Sequence, residues 1–221
     1  MKSKKVRVVP AILTEDVKTL EKLVRQVEAF TEFAQLDIMD GKFVPSRSVT
    51  YQDITAVKPG LTWEAHLMVV NPEKYLAGFQ QAGAVKVVFH YEATPAPEMV
   101  ISEIRRLGMQ VGLAVNPETP VSAIAALVDK VDSVLFLTVN PGFYDSKFVP
   151  EVLDKVAGFH RRYPDKENGV DGGIKEGNII QVAGMGVDVI YVGSAISLQP
   201  DPAASYRHLL KLAREGAAKS I

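Results

Sequence analysis

Cysteine is absent from the 221 residues, which excludes disulfides, thiolate metal ligands and cysteine nucleophiles. An excess of either charge is also missing. Lys and Arg number 25 against 26 Asp and Glu, for a formal net charge of -1, so nothing electrostatic argues for nucleic acid or a membrane surface as partner. No apolar run approaches the roughly 20 residues that span a bilayer. The opening MKSKKVRVVP is basic, but the apolar stretch after it is soon broken by Thr14-Glu15-Asp16 and lacks the long core and cleavage site of a secretory signal. The expectation is a soluble cytoplasmic protein. There is no Walker motif, no dinucleotide fingerprint and no Ser/His/Asp arrangement in a recognisable context.

What is there is an alternation of short β-rich runs with helix-period segments. Strands are predicted at 6–13, 33–38, 61–68, 85–90, 109–115, 131–139, 167–173 and 187–193, each followed by a helical stretch. After the first, Thr14 is placed to cap a helix with Val17, Leu20, Leu23, Val24, Val27 and Phe30 at helical spacing. A helix is expected from about Pro72 to Gln81, and Thr119-Pro120 reads as a cap with proline at the first helical position. Two units share punctuation, QQAGAVKVVFH and QVAGMGVDVIYVG, as one unit type recurring would. No linker divides the chain, so residues 1–221 are read as one domain. Eight βα units point to an α/β TIM barrel; a doubly wound sheet is the competing fold, with fewer units or a glycine fingerprint after its first strand.

In a barrel the working face lies at the C-terminal ends of the strands. Those ends carry Ala11, Asp37, His66, His90, Asn116, Thr138 with Asn140, Asp171 and Gly193-Ser194. Polar groups recur there while the strand middles are mostly aliphatic, and a shared polar pocket is the simplest cause. Alternation of side chains puts Gln35 inward with Asp37 and sends Ala34 and Leu36 outward. It places Glu64 one layer below His66, where its carboxylate can fix the imidazole's tautomer; pairing with Lys86 is the alternative. Two carboxylates across a barrel mouth, with a metal site between them, suit removing a proton from one face of a carbon and delivering one to the other. Asp40, followed by Gly41, reads as a turn aspartate. His160 and His208 lie in polar helical stretches and read as surface residues. Gly172-Gly173 and Gly193-Ser194, joined by Gly142, bring backbone N–H groups to one side of the mouth, where such barrels hold a phosphate.

The segments LDIMDGKFVP, HLMVVNPEKY, VFHYEA, LAVNPETP, LTVNPGF, KFVPEVLDK, VDGGI and VGSAI, in order from Val8 to about Ile196, resemble the ribulose-phosphate 3-epimerase family. The resemblance implies a (β/α)8 barrel of the ribulose-phosphate-binding type. It also implies an isomerase of carbohydrate metabolism, in the pentose phosphate pathway, that interconverts ribulose 5-phosphate and xylulose 5-phosphate. By the same resemblance Asp37 and Asp171 are the acid/base pair and also metal ligands. His66 is a further ligand to a divalent ion (zinc, iron(II) or manganese) that stabilises a cis-enediolate. Met39 and Met68 match family methionines covering the enediolate, and Gly172, Gly173, Gly193 and Ser194 match the phosphate grip. His90 and Gly142 join the substrate-binding group. The implied partner is a small ketose phosphate, with homo-oligomers common among relatives.

The chain departs from the family in places. Gln35 stands where the family has a metal-binding His, Ala11 where it has Ser, and Leu137 where it has a third Met. The usual GFGGQ loop is Gly142-Phe143-Tyr144-Asp145-Ser146. A Gln amide oxygen can ligate a metal, though it is a poorer donor than imidazole for zinc-like ions. The expected activity is therefore epimerisation at a Gln/Asp/His/Asp site. The alternatives are a non-catalytic sugar-phosphate-binding relative and a six-carbon ketose-phosphate 3-epimerase acting on a substrate such as allulose 6-phosphate.

Overall fold

A computed structural model describes residues 6–141 and 147–219. Eight parallel strands close on themselves in chain order. They are β1 (Arg7–Ile12), β2 (Phe33–Met39), β3 (Thr62–Met68), β4 (Lys86–His90), β5 (Gln110–Val115), β6 (Ser133–Leu137), β7 (Glu167–Asp171) and β8 (Val189–Val192). Between and after them lie the helices α1 (Val17–Glu28), α2 (Tyr51–Val57), α3 (Leu76–Gln81), α4 (Pro97–Arg106), α5 (Val121–Ile124), α6 (Val152–Arg162), α7 (Glu176–Ala183), α8 (Ser194–Ser197) and α9 (Pro202–Ala217). Among the described residues no helix is long and apolar enough to cross a membrane.

The strand alternation read from the sequence sorts the core into two parts. Outward residues such as Ala34, Leu36, Ala65, Leu67 and Phe89 pack with helix residues such as Leu20, Ile54, Phe79 and Phe159 in the large shell between strands and helices. Inward ones, Val9, Ala11, Val88, Ala114, Leu135, Leu137, Val189 and Tyr191, fill the barrel itself. Each large side chain fully removed from water contributes about 1.5–3 kcal/mol, and Phe79, Phe89, Phe136 and Phe159 all are. In α1 the buried residues are Leu20, Leu23, Val24 and Val27, a stripe at helical spacing. Val17 faces solvent.

Local signals near helix starts needed correction. Asp16, not Thr14, caps α1, its carboxylate accepting from Thr19 N at 2.7 Å; the Thr14 hydroxyl instead accepts from Asp16 N at 3.2 Å. The stretch from Pro72 is a 3-10 turn over Pro72–Lys74 followed by the short α3. Thr119 does not cap α5, because its hydroxyl is spent on Glu92. His208 is exposed beside Glu176, whereas His160 is half-buried against Gly186, where a Cβ would sit 2.4 Å from its ring.

At the lower end of the barrel a charged group is enclosed. Lys86 Nζ lies 3.0 Å from Glu64 and 3.6 Å from Glu167, and Arg7 reaches Glu167 at 2.6 Å. Burial, with Glu64 beside it, pushes the Tyr191 phenol well above its ordinary value. Glu64 therefore serves Lys86 and not His66, which corrects the tautomer role expected of it.

Candidate active site

The register of β2 on β3 sets Gln35 beside Glu64 and Asp37 beside His66, and that of β6 on β7 sets Leu137 beside Asp171. Side chains from β2, β3 and β7 thus meet inside the mouth. Gln35 Nε2 donates to Asp37 Oδ1 at 2.8 Å and to Asp171 Oδ2 at 2.7 Å, so one amide bridges both carboxylates. His66 Nδ1 lies 2.9 Å from Asp37 Oδ1 and 3.5 Å from Asp171 Oδ2. The residue that fixes the imidazole on this side is Asp37.

Burial dominates the electrostatics. It pushes the Asp37 carboxyl up to about 8, against the hydrogen bond from Gln35. It pushes Asp171 up to about 6, helped by the charge of Asp37. Both imidazoles, His66 and His90, are held below their ordinary value by burial and are neutral at physiological pH. One carboxyl protonated and its neighbour ionised near pH 7 is the arrangement an acid/base pair requires.

The residues fit a divalent cation. Asp37, His66 and Asp171 each offer a ligand atom, and these atoms lie within 4.8 Å of one another. Gln35 Oε1 is buried without a hydrogen-bond partner. Turning the amide over would direct that oxygen between the two carboxyls, where a cation can take it as a ligand.

Around this cluster, Met39 and Met68 are buried with Val44, against Leu13 and Phe43, an apolar wall over the mouth. Asp40 is the turn former, accepting from Lys42 N and Phe43 N at 2.8 and 2.9 Å and from Val70 N at 2.9 Å. His90 is wholly buried. Its ring meets that of His66 edge to edge, Nε2 to Nε2 at 3.0 Å, and lies 4.9 Å from Phe43 between centroids, so it backs His66 instead of lining the opening.

Thr138 supports the opposite wall, its hydroxyl donating to Asp171 O at 3.0 Å and Gly172 O at 2.6 Å. Gly172 and Gly173 have φ of 111° and 65°, and a Cβ on Gly172 would lie 2.4 Å from Val139 Cγ2; only glycine lets the chain turn there. Gly193 precedes α8, and Ser194 opens it with an exposed side chain. Gly142, with the rest of 142–146, lies outside the described residues.

Two residues were not foreseen. Glu92 Oε1 accepts from Asn116 N at 2.9 Å and from the Thr119 hydroxyl, while Oε2 lies 3.6 Å from His90 Nδ1. Burial raises this carboxyl, but the nearby His90 ring and the hydrogen bonds from Thr119 and Asn116 outweigh it and hold it below its usual value. Lys155 Nζ donates to the carbonyls of Asn116, Pro117 and Thr119 at 2.9–3.0 Å, securing the same loop. Strand parity stops at His90, where β4 ends, and Glu92 lies in the 3-10 turn Tyr91–Ala93 beyond it, so alternation gave no signal for it.

The model of the ribulose-phosphate 3 epimerase family matches residues 7–197, a span holding every side chain of this cluster. The chain belongs to that family. Ribulose-phosphate 3-epimerase of Schizosaccharomyces pombe is 37% identical over 86% of each chain. That of Synechocystis is 36% identical over 90% of each. That of Bacillus subtilis is 34% identical over 89% of this chain and 94% of its own. Among solved structures, KGPDC from Streptococcus mutans superposes with a TM-score of 0.76 at 12% identity, over 95% of this chain and 97% of that one. The 3-hexulose-6-phosphate synthase of Salmonella typhimurium gives 0.73 at 17% identity, over 96% and 100%. At those identities the structural likeness speaks for the epimerase family's barrel fold alone.

Proposed function

We propose that this chain is a ribulose-phosphate 3-epimerase that inverts C3 of ribulose 5-phosphate to give xylulose 5-phosphate. The observation that carries the reading is the pair Asp37 and Asp171, from β2 and β7, converging on one buried site with their carboxyls pushed to different values. Asp171, ionised near neutrality, removes the C3 proton from one face. Asp37, still protonated, delivers one to the other face, and the roles exchange in the reverse direction. A C–H beside a ketone is far too weak an acid for a carboxylate alone, so the enediolate's negative charge must be offset. Asp37, His66, Asp171 and, through its oxygen, Gln35 would hold a divalent cation of the zinc, iron(II) or manganese class. When bound, that cation supplies the positive charge.

Met39 and Met68 exclude water from the intermediate with polarizable, apolar atoms. The turns at Gly172-Gly173 and Gly193-Ser194 take the phosphate on backbone N–H groups, which places C3 between the aspartates. The proposed substrate is thus a small ketose phosphate.

Incubation with ribulose 5-phosphate in heavy water, with added zinc, iron(II) or manganese, should place deuterium at C3. No exchange with any of the three metals would sink the reading. Exchange into allulose 6-phosphate alone would move the assignment to the six-carbon substrate.

A further inference from the structure

The geometry points to Glu92 as a positioning residue that sets, through His90, which ring nitrogen of His66 carries the proton. The inference rests on the metal-holding reading above. His66 Nδ1 faces Asp37 and Asp171, at 2.9 and 3.5 Å, and must be free of its proton to ligate. The proton then sits on Nε2, which stands 3.0 Å from His90 Nε2. Of two facing ring nitrogens one donates and the other accepts. With His66 donating, His90 Nε2 accepts, and its own proton is on Nδ1. That nitrogen has no hydrogen-bond partner of its own, and the carboxylate of Glu92 lies 3.6 Å away.

An ionised carboxylate accepts and cannot donate. It therefore favours His90 with the proton on Nδ1, and through it His66 with the proton on Nε2 and a lone pair aimed at the two aspartates. The opposite pair of tautomers would leave the His90 Nδ1 lone pair facing a negative charge. The ring planes lie 19° from parallel with centroids 5.1 Å apart, so the rings meet edge to edge through their Nε2 atoms, and both are buried, so water does not break the relay. Glu92 is held by Asn116 N and Thr119, whose loop Lys155 ties down. Glu92, two side chains from the cluster, thus prepares a metal ligand that it never touches.

The experiment uses the full chain labelled with 15N-histidine, metal-free and loaded with zinc, and reads tautomers from two-bond 1H–15N correlations. In the zinc-loaded protein the expected forms are His66 with its proton on Nε2 and His90 with its proton on Nδ1. His90 protonated on Nε2 would overturn the inference without any variant. Glu92→Gln keeps the shape and an acceptor oxygen but can donate to His90 Nδ1. It should weaken zinc binding about 10–100-fold in chelator competition and shift metal-free His66 toward the Nδ1-protonated form, with an unchanged circular dichroism spectrum. If zinc affinity and tautomers are the same in Glu92→Gln as in wild type, the role of Glu92 fails alone. A wild-type protein that takes up no divalent metal overturns the metal reading and this inference with it.

Discussion

Gln35 has its amide nitrogen shared between Asp37 and Asp171 and its oxygen unpaired. Its amide hydrogen-bonds to both carboxyls and lowers each against the effect of burial. Gln35→His should raise zinc affinity by about tenfold or more, because imidazole is the better donor for such ions; chelator competition measures it. An unchanged affinity would mean that the side chain at 35 does not face the cation. Asp37→Asn and Asp171→Asn should each lower turnover by about 10²–10⁴-fold or more. Neither should lower the urea unfolding midpoint, since an amide costs less to bury than a carboxylate. Wild-type turnover in either variant would refute the two-base assignment. Asp40, three positions along, shows how environment separates identical residues. Burial raises its carboxyl too, but the N–H groups of Phe43, Val70 and Lys42 outweigh that and leave it below its usual value.

At the scale of strands and turns, periodicity was the reliable signal. Alternation correctly put Gln35, Asp37, Glu64 and His66 inside and Ala34, Leu36, Ala65 and Leu67 outside, because a pleated strand admits no other assignment once one residue is placed. Capping was less legible. Thr14, Asp16 and Thr119 are all competent caps, and which one serves depends on partners such as Glu92 that arrive from elsewhere in the chain. The turn after β7 is the element on which the phosphate reading depends. Gly172→Ala would impose a Cβ on Val139 and a residue at φ 111°. It should cost about 1–3 kcal/mol in urea unfolding and raise the KM for the sugar phosphate. A stable variant with an unaltered KM would show that this turn does not hold the phosphate.

For the whole molecule, the buried site makes stability depend on pH. The Asp37 and Asp171 carboxyls are raised from 3.8 to about 8 and about 6. Their contribution is therefore fully present below 3.8 and is lost as pH rises through those higher values. The buried imidazoles oppose this at lower pH: His66 and His90 are held below 6.5, so they gain stability as pH rises to about that value. Above pH 7 Asp37 prevails. In chelator, the urea midpoint of the wild type should fall between pH 7 and pH 9, whereas that of Asp37→Asn should stay level. A wild-type profile as flat as the variant's would refute the burial of an uncompensated carboxyl.

The barrel and most of its site follow from the order of residues alone. Eight alternating units leave few ways to bury so many two-sided strands, and strand ends converge on one face whatever the loops do. Asp37, His66 and Asp171 stand out in the sequence for that reason. Which neighbour each buried charge answers to was settled by the folded chain and by nothing short of it. Glu64 turned to Lys86, Asp37 took His66, and Glu92 came under His90. Those choices depend on distances of a few ångströms between strands far apart in the chain, where a buried polar group binds to whichever partner the barrel's register brings within reach.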